Sequence, residues 1–462
     1  MKQKLRKGII RDVCFICMLV IGVQICLFLL FTKSTPNSQG HEIILATNRG
    51  CNKSFPNPLA LNQSQSQDET IICDRSHNNY DWCFLKCPTI LNPNTTTFYT
   101  IGSLIRNRTS TNHFVIEKIR PYPRKWETFS MSRVREITLT SSSINNRCQI
   151  YHKGPALVFS IGGYTGNFFH DFNDGIIPLY ITLNTLFPNQ DNITLVIVDF
   201  KDWWYSKYEV LLRAFPINRV INLDNQTATH CFSSVAVGLI SHGPMTIQPN
   251  QSQQLSFLRL RSLLEITYGS NCKHVTPRAP LKPGKPRVVF VGRTRNVGRV
   301  ILNQNQIINA MERAGFEVVL FEPTKFTWLC DAYKLVNESH GMIGVHGAAL
   351  THSIFLRPGS ILIQIVPIGI EWLADSYFKN LAKSLRFEYI EYKIRAKESS
   401  LAEKYGLCHM IVKNPHVFMK GNWSAVDSIY LKGQDVRLCL DRFSKYLVLA
   451  YSKSKRFMDI NG

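Results

Sequence analysis

The stretch "HGMIGVHGAALTHSIFL" (His340–Leu356) places a short apolar strand directly before a turn of very small residues and a helical segment. The strand is predicted to end at His346, and "SILIQIVP" predicts the strand that follows. Upstream, "RVVFVG" and "FEVVLFEP" predict two more strands, followed by the helical segments "NQNQIINAMERAG" and "FTWLCDAYKLVNES". Strands that alternate with helices indicate a parallel, doubly wound α/β sheet.

The first half of the chain shows the same alternation. "ALVFSIGG" and "ITLVIVDF" are continuous apolar runs typical of buried strands, and "IIPLYITLNTLF" and "WWYSKYEVLLRAF" predict helices. The Pro/Gly-rich basic segment at 277–286 is the best candidate linker. We therefore predict two Rossmann-like domains, 68–276 and 287–462, with ligands bound beyond the carboxyl ends of their strands.

The turn after His346 has the properties of a diphosphate site. Gly347, Ala348 and Ala349 let a ligand approach the backbone, and Thr351 lies in the first turn of the next helix. Free N–H groups and the positive end of the helix dipole favour an anion there. The alternative is tight packing of the helix on the strand.

A second cationic signal follows the strand "RVVFVG". Arg293, Arg295 and Arg299 lie within seven residues, and guanidinium groups bind phosphate oxygens in a bidentate manner. The alternative is a solvated basic loop. The chain contains no G-x-G-x-x-G and no P-loop, which argues against dehydrogenases and ATPases.

Acid–base side chains are concentrated in "GGYTGNFFHDFNDG" (Gly162–Gly175), between a predicted strand and an apolar helix. His170, Asp171 and Asp174 are the candidates for catalysis in this stretch. The alternative is that they cap and stabilise the helix.

The N-terminus predicts a membrane anchor. Residues 1–12 carry five cations, and the uncharged apolar run Val13–Phe31 is just long enough to cross a bilayer. The cations place residues 1–12 in the cytoplasm and the rest of the chain in a lumen. A cleaved signal peptide is the alternative, although no A-x-A site follows. The Asn/Ser/Gln-rich segment 32–67 is interpreted as a flexible stem.

Glycosylation acceptors and cysteines agree with a secretory lumen. Ten cysteines follow the anchor, an even number that permits disulfides. Cys73, Cys83 and Cys87 lie close together, but their irregular spacing and the lack of a histidine pair argue against zinc. Asn337 also has the acceptor pattern but lies in a predicted helix. The predicted glycosylation sites are Asn52, Asn62, Asn94, Asn107, Asn192, Asn225, Asn250 and Asn422.

The net charge of +22 does not indicate a nucleic-acid-binding protein. The basic residues are scattered, without a dense Lys/Arg run or a nucleic-acid motif. An acidic small molecule or an anionic environment accounts better for this charge.

Several segments together resemble glycosyltransferase family 61, most closely its plant branch of xylan arabinosyl- and xylosyltransferases. They are "GGYTGNFFHDFNDGIIPLY", "IGVHGAALTHSIFLRPGSILIQIVP", "GNWSAVDSIYLKGQDVRL", "KIRPYPRKWETFSMSRVREITLTS", "EWLADSYFKNLAKSLRFEYIEYKI" and "GRTRNVGRVILNQ". The resemblance implies a GT-B fold, inversion at the sugar carbon, a UDP-sugar donor and a type II protein of the Golgi membrane. The chain contains no D-x-D, which disfavours a metal-dependent GT-A enzyme, so no metal or other cofactor is expected.

The resemblance also implies roles for particular residues. Glu371 is expected to accept hydrogen bonds from ribose or donor-sugar hydroxyls, with a surface carboxylate as the alternative. Leu302 and Gln304 depart from the R-x-I-T-N-E-like run that is common in plant relatives, so donor identity does not carry over. The expected donor-site residues are Arg293, Arg299, Asn303, His346, Gly347, Ala348, Ala349, Leu350, Thr351 and Glu371.

An inverting transfer needs one base, which a GT-B enzyme takes from its first domain. His170 is the predicted base and Asp174, one helical turn later, the group that orients it. Asp174 as the base, with His170 binding the acceptor, is the other hypothesis.

The leading hypothesis is therefore a Golgi enzyme that transfers a pentose, xylose or arabinofuranose, from a UDP-sugar to a xylan backbone. One alternative is transfer of another sugar, such as N-acetylglucosamine, to glycoprotein. Another is a catalytically inactive scaffold subunit. Intact His170, Asp174, Arg293 and His346 argue against the inactive relative.

Overall fold

The computed structural model describes residues 70–100, 115–141, 147–249, 255–272, 282–293 and 297–461. The strands are β1 Ile71–Asp74, β2 Trp82–Leu85, β3 Thr89–Asn92, β4 Thr97–Thr100, β5 Ile116–Ile119, β6 Ile137–Thr140, β7 Ile150–Tyr151, β8 Ala156–Ser160, β9 Ile193–Val198, β10 Ile217–Asn222, β11 His230–Phe232, β12 Val235–Val237, β13 Arg287–Val291, β14 Glu317–Phe321, β15 Gly341–Val345, β16 Ile361–Val366 and β17 Glu388–Lys393. The longer helices are Ile177–Leu186, Asp202–Leu212, Phe257–Asn271, Gln304–Arg313, Leu329–Asn337, Ala348–Phe355 and Leu440–Asn461. Shorter helical segments are Thr128–Met131, Phe168–His170, Asp171–Ile176, Glu371–Ala374, Asp375–Lys379, Asn380–Ser384, Ser400–Tyr405, Met410–Lys413, Pro415–Met419, Trp423–Ala425 and Val426–Leu431.

The C-terminal sheet is the doubly wound sheet that the sequence predicts. Its five strands are all parallel, in the order β14-β13-β15-β16-β17. Every residue of β13, β15 and β16 is buried, as expected for strands covered by helices on both faces. The order of the strands reverses at β13, because β14 lies on one side of it and β15 to β17 lie on the other. Ligands of such sheets bind at this switch point, between β13 and β15. The predicted arginine cluster follows β13, and His346 follows β15.

The N-terminal sheet has a parallel centre with an antiparallel extension. Strands β12, β8, β9 and β10 are parallel, and β2 and β1 continue the sheet in antiparallel fashion. Because β8 lies between β12 and β9, it lies at a second switch point. The segment that carries His170 leaves the sheet there. The two sheets agree with a mixed α/β, GT-B-like fold.

A third, mixed sheet was not predicted from the sequence. It runs β5-β6-β4-β3-β11-β7 and pairs residues far apart in the chain. Its strands are at most four residues long, so none shows a clear periodicity. After β5, Pro121 accepts a 2.9 Å hydrogen bond from the amide of Ser160, which attaches the following segment to the end of β8.

Two helices near the predicted site differ from the expectation. The helix after Gly347 is a 3-10 helix, Ala348–Phe355, whose last six residues are buried. The helix predicted from Ile176 begins earlier, at Phe168, and passes through a π-helical turn, Asp171–Ile176. Such π turns occur frequently at functional sites.

The two halves share an apolar core. One cluster of buried side chains includes Leu157 and Phe172 from the first half and Val289 and Leu350 from the second. The Phe172 and Phe355 rings meet edge to face, with centroids 6.4 Å apart. A disulfide, Cys272–Cys330, joins the ends of two packed helices across the halves. The predicted linker lies largely outside the described residues, so the domain boundary stays a prediction.

The cysteines and glycosylation sites of the described part agree with an oxidising lumen. Cys73–Cys83 and Cys148–Cys231 form two further disulfides, which excludes zinc ligation by the first pair. Asn94, Asn192, Asn225 and Asn422 are exposed, whereas Asn337 is half-buried and accepts a hydrogen bond from Arg261. Asn52, Asn62, Asn107 and Asn250 lie outside the described residues.

The predicted anchor, Val13–Phe31, and the predicted stem, 32–67, also lie outside the part of the chain that the structure describes. Among the residues it does describe, no helix combines the length and the apolar character that a membrane span requires.

Candidate active site

The turn between β8 and the following helix positions His170. Gly163 has φ +58°, and a ring carbon of Tyr122 lies 2.5 Å from the position that a Cβ would occupy there. A side chain at this position would therefore clash with the tyrosine. Asn167 then caps the helix, since its side chain accepts a 3.1 Å hydrogen bond from the Phe169 amide.

His170 and Asp174 form a hydrogen-bonded pair. The Nδ1 atom of His170 lies 2.7 Å from Oδ2 of Asp174, one helical turn away. Asp174 is buried, with 2% of its side chain exposed, whereas His170 has 17% exposed. The predicted proximity of these two side chains is confirmed.

Arg124 completes this cluster. Its Nε atom lies 3.0 and 3.1 Å from the two Asp174 oxygens, and its Nη2 atom lies 3.2 Å from His170 Nδ1. The Tyr122 hydroxyl donates to the same carboxylate at 3.0 Å, and Asn173 Nδ2 donates to it at 2.6 Å. Asp174 is thus saturated with hydrogen-bond donors.

The network determines the tautomer of His170. A carboxylate at 2.7 Å can only accept, so Nδ1 carries the proton and donates to Asp174. The Nη2 atom of Arg124, 3.2 Å from Nδ1, then interacts with the ring electrostatically and not through a hydrogen bond. This leaves Nε2 with its lone pair, in the state that a general base needs.

Asp174 itself is poorly suited to be the base. Burial alone would raise the pKa of its carboxyl, but the Arg124 guanidinium and His170 outweigh burial and lower the pKa below the ordinary value of 3.8. A carboxylate that holds a proton so weakly can orient the imidazole by accepting its hydrogen bond. The geometry therefore favours His170 as the base.

Asp171, the third predicted catalytic residue, faces away from this cluster. Its Oδ2 accepts from the Tyr208 hydroxyl at 2.9 Å, and its Oδ1 accepts from the Gly166 amide at 3.1 Å. Burial raises the pKa of this carboxyl. Successive residues of a helix point in different directions, so Asp171 holds the turn in place instead.

A cationic site lies at the switch point of the C-terminal sheet. The Nη1 atom of Arg293 lies 2.2 Å from the position that a Cβ on residue 347 would occupy, so a side chain there would displace the guanidinium group. Arg299 lies beside it and donates to the carbonyls of His346 and Leu431, both at 2.8 Å. Arg295 lies outside the described residues.

Within the described ranges, neither Arg293 nor Arg299 forms an ion pair, although Asp435 and Asp427 lie near enough to interact electrostatically with Arg293 and Arg299, respectively. The buried Nε of Arg293 has no hydrogen-bond partner among these residues. Burial, followed by the charge of Arg293, lowers the pKa of Arg299 to about 9. Both side chains are still charged at neutral pH, so this arrangement is suited to an anion.

His346 adds a neutral donor to the cationic site. Tyr389 donates to Oε1 of Gln364 at 2.7 Å, and Nε2 of Gln364 lies 2.7 Å from Nδ1 of His346. This relay makes Nδ1 an acceptor, so Nε2 carries the proton. Burial lowers the pKa of His346 well below its ordinary value, and Arg299 and Arg293 lower it further.

The other predicted donor-site residues take different places. Ala348 and Ala349 are half-buried at the turn, whereas Leu350 and Thr351 are fully buried. The Leu350 side chain belongs to the core, and this residue can offer a ligand only its backbone. Thr351 Oγ1 is buried without a hydrogen-bond partner.

Asn303 uses both ends of its amide on the backbone of Leu438, which engages this side chain in holding a loop. Glu371 is partly exposed, and its Oε2 lies 3.6 Å from Nε2 of His416. This oxygen is buried and has no hydrogen-bond partner among the described residues, so the predicted role of Glu371 as an acceptor stays a prediction.

Aromatic rings join the catalytic pair to the cationic site. Phe169 stacks on Tyr377 from the second half, with centroids 4.5 Å apart, and Tyr377 lies 6.0 Å from the His346 ring. Tyr377 also interacts electrostatically with Arg124 and Asp174. The predicted base and the predicted diphosphate site therefore share one wall.

Sequence reasoning missed Tyr122, Arg124 and Tyr377. The first two lie in "RPYPRKW", within a segment that carried the family resemblance, but 46 residues separate Arg124 from His170. A motif can mark such a segment without revealing what it contacts.

The fold and the site define a class of protein. Two α/β sheets bring the His170–Asp174 pair close to Arg293 and Arg299. An enzyme that transfers a group from an anionic donor needs such a combination of a base and an anion site. No three His, Cys, Asp or Glu side chains of the described residues are grouped as metal ligands.

Comparison of the sequence with known proteins agrees with this class. Residues 165–363 match the model of the family described as Glycosyltransferase 61. A xylan glycosyltransferase of Arabidopsis thaliana is 36% identical over 85% of this chain and 82% of its own. A beta-1,2-xylosyltransferase of Oryza sativa subsp. japonica is 34% identical over 72% of this chain and 71% of its own. An alpha-1,3-arabinosyltransferase of the same rice is 32% identical over 82% of this chain and 63% of its own.

This chain belongs to glycosyltransferase family 61, and it is a glycosyltransferase.

The catalytic cluster generates a first prediction. His170→Ala should fold and lose on the order of 10²–10⁴ in kcat, because the acceptor proton then lacks its base. Asp174→Asn should lose less, because it removes only the orienting charge. Kinetics at saturating donor and acceptor measure both, and Asp171→Asn is the contrast expected to keep near-normal kcat. Near-normal turnover in His170→Ala would contradict the assignment.

The buried ion pair generates a second prediction. Arg124→Gln should lower the free energy of unfolding at pH 7 by about 3–5 kcal/mol, because it leaves the Asp174 carboxylate buried without its cation. Loss of Arg124 raises the pKa of Asp174, so acidification protonates the carboxyl of the folded variant and the deficit shrinks. Urea unfolding at pH 7 and pH 4 tests this.

The double variant Arg124→Gln/Asp174→Asn is the matched control and should recover part of the loss. An Arg124→Gln variant as stable as the unaltered protein at pH 7 would show that the pair does not hold the site together.

Proposed function

We propose that this chain is an inverting pentosyltransferase that transfers xylose or arabinofuranose from a UDP-sugar to a xylan backbone. Its similarity to a plant xylan glycosyltransferase over most of both chains carries the proposal. The predicted anchor and the exposed glycosylation acceptors support a type II protein of the Golgi membrane with a lumenal catalytic body.

The geometry supports direct displacement. His170 Nε2 accepts the proton of the acceptor hydroxyl while that oxygen attacks the anomeric carbon. The bond between this carbon and the UDP oxygen breaks, and its electron pair leaves on UDP. One attack from the opposite face inverts the configuration. The Asp174 carboxylate, 2.7 Å from Nδ1, orients the His170 ring for this step.

The cationic site supports departure of UDP. Arg293 and Arg299 would stabilise the charge that develops on the diphosphate, and the Nε2–H of His346 would add a neutral hydrogen bond. The small side chains at 347–349 leave the backbone open to phosphate oxygens. These groups would supply the stabilisation that a metal ion supplies in other glycosyltransferases.

A donor and acceptor screen tests the function. The full chain is incubated with UDP-xylose, UDP-arabinofuranose and UDP-N-acetylglucosamine against xylo-oligosaccharides, and the linkage of any product is determined. We expect one UDP-pentose to yield a xylo-oligosaccharide extended by one branching pentose with inverted anomeric configuration. Absence of transfer from both pentose donors would contradict the proposal.

The proposal that Arg293 and Arg299 bind the diphosphate of UDP can be tested by substitution of Arg293. Arg293→Gln should weaken UDP binding by roughly 1.5–3 kcal/mol, the contribution of a charged hydrogen bond. The low pKa of Arg299 reflects burial and repulsion by Arg293, which cost stability at neutral pH. Removal of Arg293 should therefore leave the free protein as stable as before or more stable.

Calorimetric titration with UDP and thermal unfolding without it provide the two readings. A purely structural role for Arg293 would lower the melting temperature of the free protein. Unchanged UDP affinity in a folded variant would place the nucleotide elsewhere.

A further inference from the structure

We propose that the acceptor chain binds along an aromatic ledge, formed by Trp126, Phe129 and Tyr164, that ends at His170. The inference rests on the proposed function, since it assigns a place to the polysaccharide that this function requires. None of the three residues belongs to the predicted catalytic or donor site.

The ledge exposes unusually large apolar surfaces. Trp126 is 61% exposed and Phe129 52% exposed, and Tyr164 is half-buried between Phe129 and the catalytic cluster. The Phe129 and Tyr164 ring centroids are 5.8 Å apart. Neighbouring rings such as Phe129 and Tyr164 mark ligand-binding surfaces more often than isolated ones do.

Tyr164 connects the ledge to the predicted base. Its ring stacks on the His170 imidazole, with centroids 4.4 Å apart and an angle of 22° between the planes. A ligand that covers Tyr164 therefore reaches the edge of His170. This continuity favours the acceptor as the occupant, because the donor would bind at the carboxyl ends of the other sheet.

The ledge is preorganised by its own contacts. Glu127 accepts hydrogen bonds from the amides of Phe129 and Ser130 and so caps the short helix that carries Phe129. Cations lie over the rings: Arg133 is 3.9 Å from the Phe129 centroid. Arg124 is 5.8 Å from the centroids of both Trp126 and Tyr164.

This combination matches the chemistry of a pyranose chain. The C–H groups on a sugar face are weakly positive and pack against the negative face of an aromatic ring. The hydroxyls at the ring edge accept from guanidinium groups, which Arg124 and Arg133 supply. Trp126 and Tyr164 both flank Arg124, which connects Trp126 to the pair of rings formed by Phe129 and Tyr164.

Chain-length dependence provides the test. Kinetics are measured with UDP-pentose and xylo-oligosaccharides from two to six units. Trp126→Ala should raise KM for xylohexaose roughly 5- to 20-fold, the effect of removing one stacking ring. The KM for the shortest acceptor that the enzyme uses should change much less. The kcat and the affinity for UDP should stay unchanged. Phe129→Ala should behave alike.

Tyr151→Ala is the matched control. Tyr151 is 66% exposed, and it lies on β7, at the opposite edge of the mixed sheet from β5. This variant should keep the KM of the unaltered protein at every chain length. Calorimetric titration with xylohexaose alone should show the same ranking of affinities.

The outcomes separate the two proposals. If the unaltered protein neither binds nor extends xylohexaose, the proposed function fails and the ledge fails with it. If xylohexaose is extended but Trp126→Ala and Phe129→Ala have the same KM for it as Tyr151→Ala, only the proposal about the ledge is wrong. A uniform rise in KM at all lengths would also contradict it, because the effect would then lie next to the base.

Discussion

The buried ion pair between Arg124 and Asp174 is the constraint on which the catalytic half depends. A carboxylate this deeply buried is stable in its charged form only because Arg124, Tyr122, Asn173 and His170 all donate to it or face it with positive charge. The same carboxylate determines which nitrogen of His170 carries the proton. One electrostatic requirement thus holds two separate segments together and prepares a base.

The second half has the opposite electrostatic character. Arg293 and Arg299 lie side by side without an ion pair to any described carboxylate, and burial together with these two cations keeps His346 neutral. A fold tolerates such repulsion at a site where an anion binds, because the bound anion then gains the full interaction. The catalytic cluster pairs its buried carboxylate with a cation, whereas the cationic site forms no ion pair among the described residues, which agrees with the proposed binding of an anionic donor there.

The contact between the halves is apolar. Phe169 and Tyr377 bring the catalytic pair and the cationic site to one wall, while Phe172, Phe355 and the Cys272–Cys330 disulfide hold the helices behind them. Because buried rings allow little relative displacement, the distance between base and donor site is set by packing. The exposed rings of the aromatic ledge continue this wall on the side of the acceptor.

The sequence by itself determined the local features of this protein. The strands β8, β9, β13, β14, β15 and β16 follow from continuous apolar runs, and the switch-point position of Arg293 and His346 follows from the alternation of strands and helices. Proximity of His170 and Asp174 follows from helical spacing. In each case the residues involved are neighbours in the chain or in a regular topology.

Tertiary structure decided the rest, because it depends on pairings between distant residues. The mixed sheet joins short strands without periodicity, and it delivers Tyr122 and Arg124 to a helix almost fifty residues further along the chain. Side-chain direction separated Asp171, which bonds to Tyr208, from Asp174. Asn303 and Leu350 were assigned to the donor by motif, but burial and hydrogen bonding commit them to the loop and the core. A motif specifies which residues are present, whereas packing specifies which of their atoms remain free to act.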